Sequence, residues 1–202
     1  MPELVASDDR AEVHAMVVGR LATNVYVLRC RRTGEAVLVD AGDRPELLLE
    51  QSRSLGVRSV LQTHGHHDHI GAVAAMRAAG YPVAVGAGDA SMLPGYDRIL
   101  DDGEVVEVGE LRVRTLTTPG HTPGSLCFEV QGAGLLLAGD TLFPGGPGAT
   151  GGDPDRFATI IDHIENKLFT LDPDTKVLPG HGLPTTIGAE RPHLGAWVAR
   201  GW

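Results

Sequence analysis

Four of the nine histidines fall within six residues, His64-Gly65-His66-His67-Asp68-His69. Imidazole nitrogens and carboxylate oxygens are the ligands that zinc and iron take at neutral pH, so the chemistry within reach of this cluster is metal binding. Residues two apart in an extended chain point the same way, which lets His64 and His66 converge on one ion. Asp68 and His69 follow where the chain begins to coil and reach a neighbouring point, so the segment accounts for one metal and has room for a second. His67 is expected to face outward. Three further residues stand beside glycine at the ends of apolar runs: His121 in Thr118-Pro119-Gly120-His121, Asp140 in Leu137-Ala138-Gly139-Asp140, and His181 in Leu178-Pro179-Gly180-His181. Glycine there allows a sharp turn and a close backbone approach. The three can close the site only if the strands that carry them end on one edge of a sandwich.

The elements that must do this positioning are legible in outline. Short β-branched runs at 13–20, 24–30 and 36–40, with a turn at Thr33-Gly34-Glu35, predict a β-meander. Pro45–Leu55 opens on a proline suited to a first helical turn and reads as a helix. A strand at 57–62 hands over to the histidine cluster, and an alanine-rich helix is expected over 70–79, closed by Gly80. Further strands are expected at 83–85, Val105–Val108, 111–116, Leu126–Val130, 135–138 and 176–178, the last followed by a short tail. After Asp153, the spacing of Phe157, Ile160, Ile161, Ile164 and Leu168 marks an amphipathic helix. The order predicts an α/β sheet sandwich with helices outside. The glycine-rich run 145–152 lacks the Lys-Ser/Thr pair of a phosphate-binding loop and is expected to be a mobile loop near the metal edge.

The chain has 202 residues, which at ~150 per domain predicts a single domain over 1–202. Hydrophobic residues make up 42% and charged residues 21%, a globular composition that argues against disorder. The 27 glycines and 13 prolines follow no three-residue period and imply many tight loops, not collagen. A formal charge of −9 should repel phosphate backbones and anionic lipid, so neither nucleic acid nor membrane is an expected partner. No apolar run approaches the ~20 residues of a membrane span. The acidic segment at 1–10 lacks the pattern of a secretory signal, and a cytoplasmic location is expected. Cys30 and Cys127 have no CxxC spacing and read as buried free thiols.

With Thr63-His64-Gly65-His66-His67-Asp68-His69 matching its HxHxDH signature, and Asp40, His121, Asp140 and His181 matching its other motifs in order, the chain resembles the metallo-β-lactamase fold superfamily. The resemblance implies a four-layer αββα sandwich with two metals at one edge. It implies that His64, His66 and His121 hold the first metal, that Asp68, His69 and His181 hold the second, and that Asp140 bridges them. Asp40 matches the position that supports the ligands from behind.

Such a centre can polarise a carbonyl and lower the pKa of bound water from 15.7 to about 7, so the expected reaction is hydrolysis by a metal-bound hydroxide, with Asp68 helping to move protons. Two Zn²⁺ are expected, with iron as the alternative. The stretches 139–143 and 179–191 look most like the glyoxalase II (hydroxyacylglutathione hydrolase) branch, which implies a thioester or related small acyl substrate. Only 21 residues follow His181, so no separate C-terminal helical domain is expected and another thiol carrier than glutathione stays open. Two other members of the fold remain as alternatives. A persulfide dioxygenase-like oxidoreductase would place one iron on His64, His121 and Asp140. A lactone hydrolase would be expected to offer a tyrosine between Asp140 and His181, whereas the tyrosines here are Tyr26, Tyr81 and Tyr96.

Overall fold

The computed structural model describes residues 2–201. Four antiparallel strands open the chain: β1 (Glu3–Ser7), β2 (Ala11–Val18), β3 (Thr23–Cys30) and β4 (Ala36–Val39). Helix α1 (Pro45–Leu55) then crosses to the parallel strand β5 (Val57–Leu61). Two short helices, α2 (His67–Ile70) and α3 (Val73–Ala78), lead to β6 (Val83–Gly86), and a 3₁₀ segment (Ala87–Met92) leads to β7 (Arg98–Leu100). These seven strands form one sheet in sequence order.

The second sheet begins with the hairpins of β8 (Val105–Val108), β9 (Leu111–Thr117), β10 (Leu126–Val130) and β11 (Leu135–Gly139). A small separate hairpin follows, β12 (Leu142–Phe143) with β13 (Gly146–Pro147). Helix α4 (Pro154–His163) then carries the chain over the sheet to β14 (Lys176–Pro179), parallel to β11, and β15 (Thr185–Thr186) completes an order of β15-β14-β11-β10-β9-β8. Helices α5 (Ile187–Glu190) and α6 (Leu194–Arg200) end it.

Period-2 alternation builds three apolar layers from these strands. In β3, Tyr26, Leu28 and Cys30 face the seam between the sheets, where Phe128, Leu137 and Leu178 meet them, while Val25 and Val27 face Leu48 of α1 and Val73 and Met76 of α3. In the second sheet, Leu126 and Phe128 point to the seam, and Cys127, Leu136 and Ala138 point outward to Ile160, Ile161, Ile164 and Leu168. Helix, sheet, sheet and helix therefore stack as the expected αββα sandwich. Among the described residues no helix is long and apolar enough to cross a membrane.

Several expectations need correction. The helix expected over 70–79 is confined to Val73–Ala78 and follows a separate turn of helix at His67–Ile70; between them the Ala72 N–H donates to Ala41 O at 2.8 Å, tying the chain to the end of β4. A strand that was not expected, β1, pairs with β2; it is five residues long and none of them is fully buried. The helix after Asp153 changes pitch at Ile164–Leu168, closing with Phe169 N–H on Ile164 O at 2.8 Å, five residues back. The tail is structured: Trp197 is only 2% exposed and packs near Phe169, with ring centroids 6.0 Å apart.

Candidate metal centre

The functional side chains sit on one edge of the two sheets, at the ends of strands that come from both. Asp40 follows β4 in a left-handed conformation (φ 64°), a strained backbone for a residue with a side chain. His64 to His69 follow β5, His121 follows β9, Asp140 follows β11 and His181 follows β14. The edges meet directly: Thr23 bridges His181, and Asn24 N–H donates to Gly180 O at 2.7 Å.

All seven expected ligands converge, and His67 does not, its side chain being 86% exposed. His66 Nδ1 lies 3.2 Å from His64 Nε2 and 2.9 Å from His121 Nε2. In the second group, His69 Nε2 lies 3.2 Å from His181 Nε2 and 3.4 Å from Asp68 Oδ2. Asp140 stands between the groups, with Oδ1 3.6 Å from His69 Nε2 and Oδ2 3.5 Å from both His121 Nε2 and His181 Nε2.

Which nitrogens carry protons follows from the partners behind them. Asp40 Oδ2 accepts from Thr63 Oγ1 at 2.7 Å, so the Thr63 hydroxyl has spent its proton and must accept from His64 Nδ1 at 3.0 Å. His69 Nδ1 donates to Asp40 Oδ2 at 2.7 Å, His121 Nδ1 to Ala149 O at 2.8 Å and His181 Nδ1 to Leu21 O at 3.1 Å. With Nδ1 held by these acceptors, each of the four rings turns its Nε2 inward, and its lone pair is free for a metal once any proton on Nε2 has left. Lone pairs about 3 Å apart repel unless a cation lies between them. Nitrogen ligands of a tetrahedral zinc with ~2.0–2.1 Å bonds stand about 3.3 Å apart, close to the spacings found.

Asp140 Oδ1 is buried without a hydrogen-bond partner, a costly state for a carboxylate unless a positive ion meets it. Asp40 also falls in a possible ligand group with His64 and His69, but its oxygens are occupied by Thr63 N, Thr63 Oγ1 and His69 Nδ1, which makes it a support. The residues present therefore fit a divalent metal centre.

Electrostatics follows burial. Burial, reinforced by the surrounding imidazoles, holds His64 well below the ordinary histidine value and brings His121 down to about 4. His69 moves the other way: burial opposes its charge, but Asp40, Asp140 and Asp68 outweigh it and raise the group to about 9. Burial raises Asp140 to about 6, against the pull of His69 and His181. At Asp68 burial is outweighed by His69 and the Thr23 hydroxyl, so this carboxylate is lowered.

Two parts of the frame were not foreseen. Asp89, fully buried, accepts from Gly65 N at 2.8 Å, Gly124 N at 2.7 Å and Thr122 Oγ1 at 2.6 Å, clamping the loop of His64 and His66 to that of His121. Its only sequence signal is an aspartate shortly after a strand. The 145–152 run is not the free loop expected: Gly145 N donates to Glu190 Oε2 at 2.8 Å, Gly148 N to Thr141 O at 3.1 Å, and Ala149 O orients His121. Arg156 Nε fixes Gly120 O at 2.9 Å, and its guanidinium also binds His121 O. Tyr26, by contrast, uses its hydroxyl on Pro179 O at 2.7 Å.

Comparison with known proteins agrees with this architecture. A hydroxyacylglutathione hydrolase of Rhodospirillum rubrum is 38% identical over 174 residues, covering 84% of this chain and 66% of that protein. The crystal structure of the BLEG-1 B3 metallo-beta-lactamase superposes with a TM-score of 0.79 at 30% identity, covering 90% of this chain and 97% of the other. That of TTHA1623 in a di-iron-bound form gives 0.74 at 31%, covering 88% and 96%. The family model for the metallo-beta-lactamase superfamily matches residues 18–181, a span that starts at the end of β2 and closes on the final histidine of the cluster. The chain that builds this edge belongs to the metallo-beta-lactamase superfamily.

Proposed function

We propose that the protein is a dinuclear metallo-hydrolase acting on a thioester or related small acyl compound, with zinc as its metal. His64, His66 and His121 would hold one ion, Asp68, His69 and His181 the other, and Asp140 would touch both. The observation that carries this is that His64, His69, His121 and His181 each turn Nε2 inward from an acceptor behind Nδ1, at an edge where Asp140 Oδ1 is buried with no hydrogen-bond partner. When bound, the metals supply a Lewis acid for the substrate carbonyl and make water acidic enough to attack near neutral pH.

The chain's own groups supply the rest. Asp40, Thr63, Ala149 and Leu21 fix the ring planes so that little reorganisation is needed on binding. Asp68 Oδ2 is oriented by the Thr23 hydroxyl at 2.9 Å, while Oδ1 faces the exposed His67 Nδ1 at 4.0 Å. Lowered by its neighbours, Asp68 stays ionised at neutral pH and can take a proton from the attacking water and pass it outward. A cavity of about 210 Å³ lined by Gly19, Leu21, Gly42, His67 and Asp68 opens beside this carboxylate and gives that proton a way out.

The test is metal analysis of the purified protein together with thioester hydrolysis and oxygen consumption. Two zinc equivalents with hydrolysis are expected; one iron with oxygen uptake overturns the proposal in favour of an oxidoreductase. Asp140→Ala should cost one metal equivalent and lower turnover more than tenfold. Unchanged metal content and rate would refute the bridging role.

A further inference from the structure

Next to the metal edge, the seam between the sheets opens as a groove of about 370 Å³. Among the described residues, three of the seven exposed large hydrophobic side chains, Leu4, Val17 and Leu183, line it together with Val5, Ala15 and Leu178. Single exposed apolar residues are ordinary, but several gathered on one concave surface mark a binding site. Val17 is 65% and Leu183 78% exposed, so both pay a hydration cost that an apolar ligand would relieve. The polar groups in the floor are spent internally: Asn24 Nδ2 donates to Pro179 O and Gly182 O at 3.0 Å each, and Tyr26 Oη to Pro179 O. The groove therefore offers surface rather than these donors. One end of its lining lies beside the candidate metal centre: Asn24 holds Gly182 O, and the neighbouring residues Thr23 and His181 form a bridge between the strand ends.

We infer that this groove receives the hydrocarbon part of the substrate, an acyl chain whose carbonyl end reaches past Gly182 to the ligand cluster. The inference rests on the hydrolase proposal and narrows its substrate class to acyl compounds with a medium-length apolar chain. The volume equals about twelve waters at ~30 Å³ each, which suits such a chain and not a folded peptide. Charge favours a small ligand over a second copy of the protein. Glu3 and Lys176 border the groove, and a chain end can leave them in water, whereas an interface would bury them.

The experiment uses calorimetric titration of the zinc-loaded protein with linear carboxylates from acetate to decanoate, alongside hydrolysis of acetyl to decanoyl thioesters of one small thiol. Binding should tighten roughly three- to fourfold per added methylene until the groove is full. Val17→Glu and Leu183→Glu, both at exposed positions, should flatten that dependence, whereas the control Val198→Glu, at an exposed apolar position outside the groove, should leave it as in the parent. Affinity independent of chain length, or groove variants that behave like the parent, would overturn the inference. So would a concentration-dependent dimer, seen by light scattering, that the same substitutions abolish. Should no thioester be hydrolysed while binding still follows chain length, the groove stands and the hydrolase proposal alone falls.

Discussion

At the scale of single residues, the decisive feature is the set of acceptors behind the imidazoles. Asp40 shows how it works. Its left-handed backbone brings one carboxylate to Thr63 and His69 together, and through the Thr63 hydroxyl it sets the tautomer of His64 as well. Asparagine tolerates the same backbone, so Asp40→Asn removes the charge and leaves the turn. Metal affinity should fall 10–100-fold, read by competition with a chromophoric chelator; an unchanged affinity would deny Asp40 its supporting role. The proton on His69 gives a second expectation. In the metal-free protein this group is raised from 6.5 to about 9, so the stability it contributes is complete below about pH 6.5 and is lost as pH rises through 9. A metal needs the lone pair that this proton occupies. Binding at pH 7.5 should release about one proton from His69, and almost none above pH 10, measured by calorimetry in buffers of different ionisation enthalpy. A metal-binding heat that does not depend on the buffer at pH 7.5 would contradict the assignment.

At the scale of elements, the site depends on how closely loops from the two sheets can approach. Gly180, between β14 and His181, has no room for a side chain: a Cβ there would collide with Asp140 Oδ1 and stand 2.8 Å from His69 Cε1. Gly180→Ala should therefore abolish binding at the site of His69 and His181 and lower turnover at least 100-fold with the circular dichroism spectrum intact. Gly195→Ala in α6 is the control, since nothing lies within 4 Å of a Cβ there. It should leave activity alone and stabilise by up to ~1 kcal/mol. A Gly180→Ala protein with full metal content would show that the loops can part without loss. Asp89 acts at the same scale, since its carboxylate holds the loops after β5 and β9 in one relative position.

At the scale of the molecule, the candidate ligands come from segments after β5, β9, β11 and β14, so bound metal would tie the first sheet to the second. Removing it should destabilise the whole sandwich instead of one loop. With free zinc at ~1,000 times Kd the linkage is worth about 4 kcal/mol. For a chain of this size that corresponds to a Tm lower by roughly 8–16 °C after chelation, to be restored by adding zinc and read by scanning calorimetry. A Tm indifferent to chelator would mean that the cluster does not bridge the sheets.

Much of this was legible in the linear chain. The residue types of the cluster are fixed by covalent sequence, and so is the chemistry open to them. A short apolar run bounded by turn residues is a local property, which is why β3, β4, β10 and β11 were readable from the chain alone. What only the tertiary structure decided is which partners those groups meet. Asp89 reaches residues 24 to 35 positions away, the helix expected from residue 70 starts only at Val73, after Ala72 has bonded to Ala41, and the tail is ordered by burial of Trp197. Long-range hydrogen bonds and packing leave no periodic trace in a sequence. The inward turn of the histidine lone pairs belongs to this second class, because a tautomer is set by the acceptor behind the ring, and that acceptor is brought there by folding.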